Sequence, residues 1–178
     1  LSLHDALPIS IVLDGISLFL HTIKHIQRLL KGVSDYMESK LAELIKAGKE
    51  NPFFILVVKG GPIEEIEDSI KSLSTDCYDA VEFRADFGNF IGSSVFHKMQ
   101  IASKLAFLKF LTDKPVILTL RTKDEGGEIR VSTEDYRDFL LWASMNLEVA
   151  AIDGELLTLG KYTAEVLETM EIGRASCR

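Results

Sequence analysis

The sequence has few cysteines, no long apolar run and no excess of basic charge. Its two cysteines are Cys77 and Cys177. So few thiols indicate a reducing compartment, the cytoplasm, and we expect Cys77 to be a small buried side chain rather than a nucleophile. No apolar stretch approaches the roughly 20 residues of a membrane span, and the first residues lack the basic start of a secretory signal. The net charge of -7 argues against nucleic acid, which requires a basic face. Small molecules or proteins remain as partners.

The two ends of the chain are related through the nucleotides that could encode them. Residues 1–9 and 171–178 contain strings that, read on opposite strands, overlap as reverse complements through GATCGGAAGAGCGTCGTGTAG. Natural termini have no reason to share such a string, whereas a short-read sequencing adapter translated from each side would produce it. We therefore interpret 1–9 and 171–178 as adapter-derived and exclude both from the fold argument. Because Cys177 lies in the second segment, Cys77 has no disulfide partner.

Between residues 53 and 170 the sequence alternates short apolar runs with helix-like segments, which is typical of βα units and a parallel sheet. The first run, FFILVVK, is nearly all apolar, as a strand covered on both faces should be. Four strands are predicted, over residues 53–59, 80–87, 116–121 and about 149–156. This α/β pattern suits either the N-terminal half of a (β/α)8 TIM barrel or a four-stranded piece of a doubly wound sheet.

Residues 10–52 differ in pattern and predict a helical segment before the barrel, or the tail of a preceding domain. Residues 16–31 place apolar side chains on one helical face, and a second helix is predicted over 34–47. His21 and His25 are one helical turn apart and could share a metal ion. Because no third ligand is in view, we interpret them as the polar edge of a helix and expect no metal site.

Charged side chains gather at the ends of the predicted strands. In the second strand Glu82, Arg84 and Asp86 alternate with apolar residues and therefore share one face. The third strand delivers Arg121, and the glycines that follow Glu125 let the backbone turn so that this carboxylate points back. In a barrel the carboxyl ends of the strands form the mouth in which active sites lie. The sequence therefore predicts a polar active-site mouth.

Four of these segments resemble, in order and spacing, the motifs of type I 3-dehydroquinate dehydratase. They are Glu82-Phe83-Arg84-Ala85-Asp86, Arg121-Thr122-Lys123-Asp124-Glu125-Gly126-Gly127-Glu128, Ser132-Thr133-Glu134-Asp135-Tyr136 and Ile152-Asp153-Gly154-Glu155-Leu156. The resemblance covers about residues 53–170. It implies the front half of a TIM barrel and a lyase of the shikimate pathway that converts 3-dehydroquinate to 3-dehydroshikimate without a cofactor.

The resemblance also implies roles for individual residues. In that family a lysine forms an imine with the substrate ketone and a histidine removes the adjacent proton. Glu82 and Arg84 would line the substrate pocket, Arg121 would contact the substrate, and Glu125 would orient the histidine. Asp86 would support the cluster on the second strand.

Two departures from the family pattern qualify the resemblance. Val57 stands where the family has a serine near the end of the first strand. The family's histidine and lysine lie on strands after the fourth, beyond residue 170, so we expect this chain to be inactive by itself. The intact protein is expected to be a homo-oligomer or part of a multifunctional chain of the pathway.

Two other functions remain open from the sequence. The chain could be a partial barrel that binds ligands or partners without catalysis. It could also be a piece of another lysine-dependent barrel lyase or aldolase, although the Glu-Gly-Gly segment argues against that.

Overall fold

The structure is a computed structural model, and it describes residues 36–37, 40–47, 52–88 and 95–176. The predicted helix over 16–31, with its two histidines, and the segment 1–9 lie outside these residues. Residues 40–47 are helical, within the second helix predicted before the barrel. Leu41 of that helix is buried against Ala80 and Ala150, so the helix packs at the N-terminal end of the sheet.

Four parallel strands form one sheet in the order in which they occur along the chain. They are β1 (Ile55–Lys59), β2 (Ala80–Arg84), β3 (Val116–Thr119) and β4 (Ala151–Asp153). A doubly wound sheet reverses its strand order at a switch point, whereas a (β/α)8 barrel adds each strand beside the preceding one. The sequential order therefore favours a partial barrel over the doubly wound alternative.

Helices follow the strands and cover one face of the sheet. They are α1 (Ile63–Lys71), α2 (Val95–Leu111), α3 (Thr133–Asn146), α4 (Leu156–Leu159) and α5 (Thr163–Ser176). Ser132 caps α3, because its hydroxyl accepts the Asp135 N–H at 3.1 Å. Within the ranges that the structure describes, no helix is both long and apolar enough to cross a bilayer. Helix α5 continues into residues 171–176, and the adapter origin of that segment stays a prediction.

The core lies between the sheet and its helices. The register places Val58, Phe83 and Leu118 side by side on the outer face, and all three are fully buried. Burying side chains of this kind stabilises a fold by about 1.5–3 kcal/mol each. The opposite, inner face of the sheet carries Val57 and Glu82, which are paired in register. Val57 is 50% exposed.

Three strands end earlier than the sequence predicts, and one of them is β3, which ends at Thr119 rather than at Arg121. Strand β2 ends at Arg84 and residues 85–87 form a 3-10 turn, while β4 ends at Asp153 rather than near 156. The early ends of β2 and β4 have one cause, since the chain leaves the sheet where carboxylates beyond these strands, Asp86 and Glu155, form hydrogen bonds with neighbouring loops. The expectation that Cys77 is buried is wrong: Cys77 lies exposed in a turn before β2.

Candidate active-site rim

The carboxyl ends of the four strands meet at one edge of the sheet, which we call the rim. The register pairs Lys59 with Arg84, Arg84 with Thr119, and Thr119 with Asp153. Paired residues of parallel strands point to the same face, and in these strands the alternate residues face the helices. We call these four residues the inner row. It brings two cations, a hydroxyl and a carboxylate to the end of the sheet where barrel enzymes bind their substrates.

Arg84 and Asp86 form a bidentate ion pair at the end of β2. The Arg84 Nε and NH2 groups donate to the two carboxylate oxygens of Asp86, each at 2.8 Å. The Asp86 side chain is completely buried, and that of Arg84 is 17% exposed. These hydrogen bonds raise the pKa of Arg84 above its ordinary value. Asp86 lies beyond the observed end of β2, yet its carboxylate still turns back to Arg84.

Asp86 also ties the end of β2 to the loop after β3. Its Oδ2 atom accepts the backbone N–H of Glu128 at 3.2 Å. This contact joins the two charged motifs that lie far apart in the sequence. The Arg84 and Arg121 motifs are therefore linked at one rim rather than facing separate surfaces.

Arg121 is surrounded by three carboxylates. Its NH2 group donates to Asp153 at 2.5 Å and its NH1 group donates to Glu125 at 3.3 Å. Its Nε atom lies 4.0 Å from a carboxylate oxygen of Glu155. Because a planar guanidinium presents five N–H donors in a fixed fork, these contacts fix the plane of Arg121 and leave further N–H groups for a ligand.

Glu155 is the buried acid of this cluster, and its surroundings were not predicted from the sequence. Its two carboxylate oxygens accept the backbone N–H and the hydroxyl of Thr122, each at 2.7 Å, and the hydroxyl of Thr158 at 2.7 Å. The Glu155 N–H donates to the hydroxyl of Tyr136 at 2.9 Å. Burial raises the pKa of Tyr136 above its ordinary value. This network holds the loop after β3 against the end of β4.

Two glycines shape that loop. Gly126 has a φ of +84°, a conformation that side chains with a Cβ disfavour. At Gly127 a Cβ would lie 2.0 Å from the carbonyl oxygen of Arg121, so only glycine fits. The Gly127 N–H also donates to the carbonyl of Thr122 at 2.7 Å. The tight turn returns Glu125 to Arg121, as the sequence predicts.

Glu82 lies on the inner face of β2, two residues before Arg84 and half-buried. Its charge contributes to the raised pKa of Arg84. Within the described part of the chain, no group of three or more His, Cys, Asp or Glu side chains could hold a metal ion. At the rim, acids contact the guanidinium groups of Arg84 and Arg121.

Comparison with known proteins gives the family. A family model described as type I 3-dehydroquinase matches residues 54–174. The chain belongs to the type I 3-dehydroquinase family. The 3-dehydroquinate dehydratase of Clostridium botulinum (strain Eklund 17B / Type B) is 30% identical to it over 125 residues, which are 70% of this chain and 48% of that protein. That of Alkaliphilus oremlandii is 36% identical over 87 residues, 49% of this chain and 33% of that protein.

Solved structures show that this type I 3-dehydroquinase chain shares their fold. The 3-dehydroquinate dehydratase of Enterococcus faecalis superposes with a TM-score of 0.56 at 22% identity, over 69% of this chain and 50% of that one. That of Geobacillus kaustophilus HTA426 gives 0.57 at 20% identity, over 70% and 47%. The chain spans about half the length of these structures and at most about half that of the curated relatives named above.

The sequence found some of the groups at this type I 3-dehydroquinase rim and missed others. It found Glu82, Arg84, Asp86, Arg121 and Glu125, and the structure places all of them at or next to the carboxyl ends of β2 and β3. It missed three polar partners that lie inside the network, Thr122, Tyr136 and Thr158. Their hydroxyls lie in or close to the segments that resemble the family motifs, but the position of a hydroxyl along the chain does not indicate which carboxylate it contacts.

Proposed function

We propose that the protein to which this chain belongs converts 3-dehydroquinate to 3-dehydroshikimate and water. The observation that carries the proposal is the hydrogen bond from the Glu128 N–H to Asp86, at 3.2 Å. It joins the Glu-x-Arg-x-Asp motif of β2 to the Glu-Gly-Gly-Glu motif after β3, so that both serve one site. The family membership supplies the class of reaction.

The proposed reaction proceeds through an imine. A lysine amine condenses with the substrate ketone and releases water. A histidine removes a proton from the carbon beside the imine, the electron pair moves toward the iminium nitrogen, and the hydroxyl group on the next carbon leaves as water. Hydrolysis of the imine returns the lysine and frees the product. No electron acceptor is required, so the reaction uses no cofactor.

The described residues supply binding and positioning groups for this reaction. Arg121 donates its remaining N–H groups to the substrate, because Asp153 and Glu155 fix the plane of its guanidinium. Glu125, whose carboxylate accepts from the NH1 group of Arg121, orients the catalytic histidine. Glu82 and Arg84 line the pocket along the inner face of β2, and buried Asp86 supports Arg84 as a positioning residue.

The setting of this function is a reducing cytoplasm, with a small molecule as the partner. The exposed, unpaired Cys77 supports a reducing compartment, because exposed thiols are readily oxidised elsewhere. The intact protein acts as a homo-oligomer or within a multifunctional chain of the pathway. Its native mass in sedimentation, compared with the mass of one chain, tests this.

The test is a dehydration assay on the intact protein that contains this sequence, followed by the ultraviolet absorbance of the conjugated product. The wild-type protein should form product from 3-dehydroquinate, and Arg121→Met should lower kcat/KM by roughly a hundredfold or more, as loss of a charged substrate contact does. Arg137, which pairs with exposed Asp138 on α3, provides the matched control, and Arg137→Met should leave kcat/KM within about twofold.

Two results would contradict the proposal. An intact protein that binds 3-dehydroquinate but forms no product would favour the non-catalytic binding module. Equal activity of the wild type and Arg121→Met would show that the rim takes no part in catalysis. Arg121→Lys keeps the charge without the fork, and an intermediate loss in that variant would separate charge from geometry.

A further inference from the structure

Thr122 is a buried residue between the two functional side chains of the loop after β3. It directly follows Arg121 and precedes Glu125 by three positions. Thr122 is 4% exposed, so its polar atoms are shielded from water and need partners inside the protein. The proposed reaction has so far given this residue no role.

All the hydrogen-bonding groups of Thr122 are engaged. Its N–H and its hydroxyl donate to the two carboxylate oxygens of Glu155, each at 2.7 Å. Its carbonyl accepts the Gly127 N–H at 2.7 Å and the Glu125 N–H at 3.1 Å. One residue therefore connects the start of the loop, the glycine turn and the buried acid after β4.

The hydroxyl of Thr122 makes a long-range contact rather than a local one. Thr122 stands at the N-cap of the 3-10 turn Lys123–Glu125, a position at which a threonine oxygen often accepts a backbone N–H of the turn. The Thr122 side chain makes no such bond. Its hydroxyl donates instead to Glu155, 33 residues along the chain, and hydrogen bonds to a charged carboxylate are among the stronger ones.

Glu155 is itself held in place, so it can serve as a fixed anchor. Its side chain is 1% exposed. The Tyr136 hydroxyl on α3 accepts the Glu155 N–H at 2.9 Å, and the Thr158 hydroxyl on α4 donates to the Glu155 carboxylate at 2.7 Å. The hydroxyl of Thr122 thus ties the loop after β3 to a group that two helices hold.

We propose that Thr122 is a positioning residue that sets the places of Arg121 and Glu125 together. This inference rests on the proposed function, in which Arg121 contacts the substrate and Glu125 orients the histidine. Adjacent Cα atoms are about 3.8 Å apart, so a displacement of Thr122 moves Arg121. The same displacement moves Glu125, whose N–H is bonded to the Thr122 carbonyl.

The test is steady-state dehydration by the intact protein that contains this sequence. Thr122→Val removes the hydroxyl and keeps the branched shape, and it should lower kcat/KM by roughly ten- to hundredfold, as small misplacements of binding groups do. KM should rise because Arg121 binds the substrate, and kcat should fall because Glu125 orients the histidine. Thr122→Ser keeps the hydroxyl and its bond to the carboxylate, so kcat/KM should stay within about threefold of the wild type.

Thr112 provides the matched control. It is 8% exposed, and its hydroxyl accepts the Lys114 N–H at 3.2 Å, before β3 and at the opposite end of the sheet from the rim. Thr112→Val should keep kcat/KM within about twofold of the wild type. If Thr122→Val does not fold, Thr122→Ala carries the test with the same expected loss, because it removes the hydroxyl without placing a methyl group against the carboxylate.

A second measurement does not depend on activity. Amide hydrogen exchange of this chain, followed by NMR, reports on the Glu125 and Gly127 N–H groups that are bonded to the Thr122 carbonyl. Thr122→Val should speed the exchange of both by roughly tenfold or more, because the loop opens more often. Thr112→Val should leave both rates unchanged.

Three results would overturn the inference. They are equal kcat/KM for the wild type and Thr122→Val, a loss in Thr122→Ser as large as that in Thr122→Val, or unchanged exchange of both amides in Thr122→Val. If the intact wild type forms product but Thr122→Val loses no activity, only the positioning role fails. If the intact wild type forms no product, the proposed function fails, and the exchange rates still decide whether the Thr122 hydroxyl fixes the loop.

Discussion

Replacing Arg84 with methionine would leave the carboxylate of Asp86 buried without its cation. Methionine keeps most of the aliphatic volume of the arginine stem, so the change removes charge and hydrogen bonds more than packing. The Asp86 side chain is completely buried and loses both of its 2.8 Å contacts from Arg84. It keeps the hydrogen bond from the Glu128 N–H at 3.2 Å, which by itself compensates poorly for burying a full negative charge.

The magnitude follows from these contacts. Breaking a buried ion pair by removing one partner destabilises a protein by about 3–5 kcal/mol. Arg84 is 17% exposed and one hydrogen bond to Asp86 remains, so we expect the lower end, about 3 kcal/mol. With a urea m-value of about 2 kcal/mol/M, the midpoint of unfolding should fall by about 1.5 M. Circular dichroism during urea titration near neutral pH measures this.

A second variant identifies the cause. Arg84→Met combined with Asp86→Asn removes the buried charge, so the double variant should recover most of the lost stability. Lys71→Met, which removes an exposed ion pair with Glu67 on α1, should change stability by less than about 0.5 kcal/mol. A loss below about 1 kcal/mol for Arg84→Met, or no recovery in the double variant, would refute the reasoning.

Three further predictions concern the rim. Gly127→Ala should destabilise the chain by about 2–4 kcal/mol in urea titration, because its Cβ would lie 2.0 Å from the Arg121 carbonyl; Gly154→Ala, whose Cβ would meet the nearest atom at 3.6 Å, is the control. Tyr136→Phe should cost about 1–3 kcal/mol, because the Glu155 N–H loses its acceptor. Burial raises the folded pKa of Tyr136, so the contribution of its neutral hydroxyl to stability is present below the unfolded pKa of about 10 and is lost as the pH rises beyond it. A loss of stability above pH about 10 that is as steep in Tyr136→Phe as in the wild type would contradict this. Borohydride with 3-dehydroquinate should leave no adduct on this chain in mass spectrometry. Burial lowers the pKa of Lys104, but its Nζ atom donates a hydrogen bond to the Gly60 carbonyl at 2.7 Å. An adduct would refute the reasoning.

The sequence was sufficient for the alternating strand and helix pattern, because that pattern depends on local periodicity. Apolar runs such as the one that forms β1, and the Ser132 cap of α3, depend on nearest neighbours and on alternation along one segment. The same holds for the glycine turn after Glu125, where the positive φ of Gly126 is a local requirement. The motif order also indicated the family, which the family match confirms.

Strand ends were less predictable than strand positions. Alternation continued through Asp86 in the sequence, but the strand stops at Arg84, because residues 85–87 fold into a turn that brings Asp86 within reach of both Arg84 and Glu128. A pattern along one segment contains no information about a backbone N–H some forty residues away. Cys77 shows the same limit, since its exposure depends on the turn in which it lies.

The sequence by itself determined which side chains share one face of each strand, because side-chain alternation is a property of that strand alone. Only the tertiary structure decided how their charges are shared. Arg84 forms an ion pair with Asp86, and Arg121 forms ion pairs with Asp153 and Glu125. Lys59 instead lies over the Phe87 ring, as Arg84 does, and forms no salt bridge with the described residues. These pairings depend on the register between strands and on where each loop turns. Both set the distance between two charges, and the Coulomb energy of a pair depends on that distance.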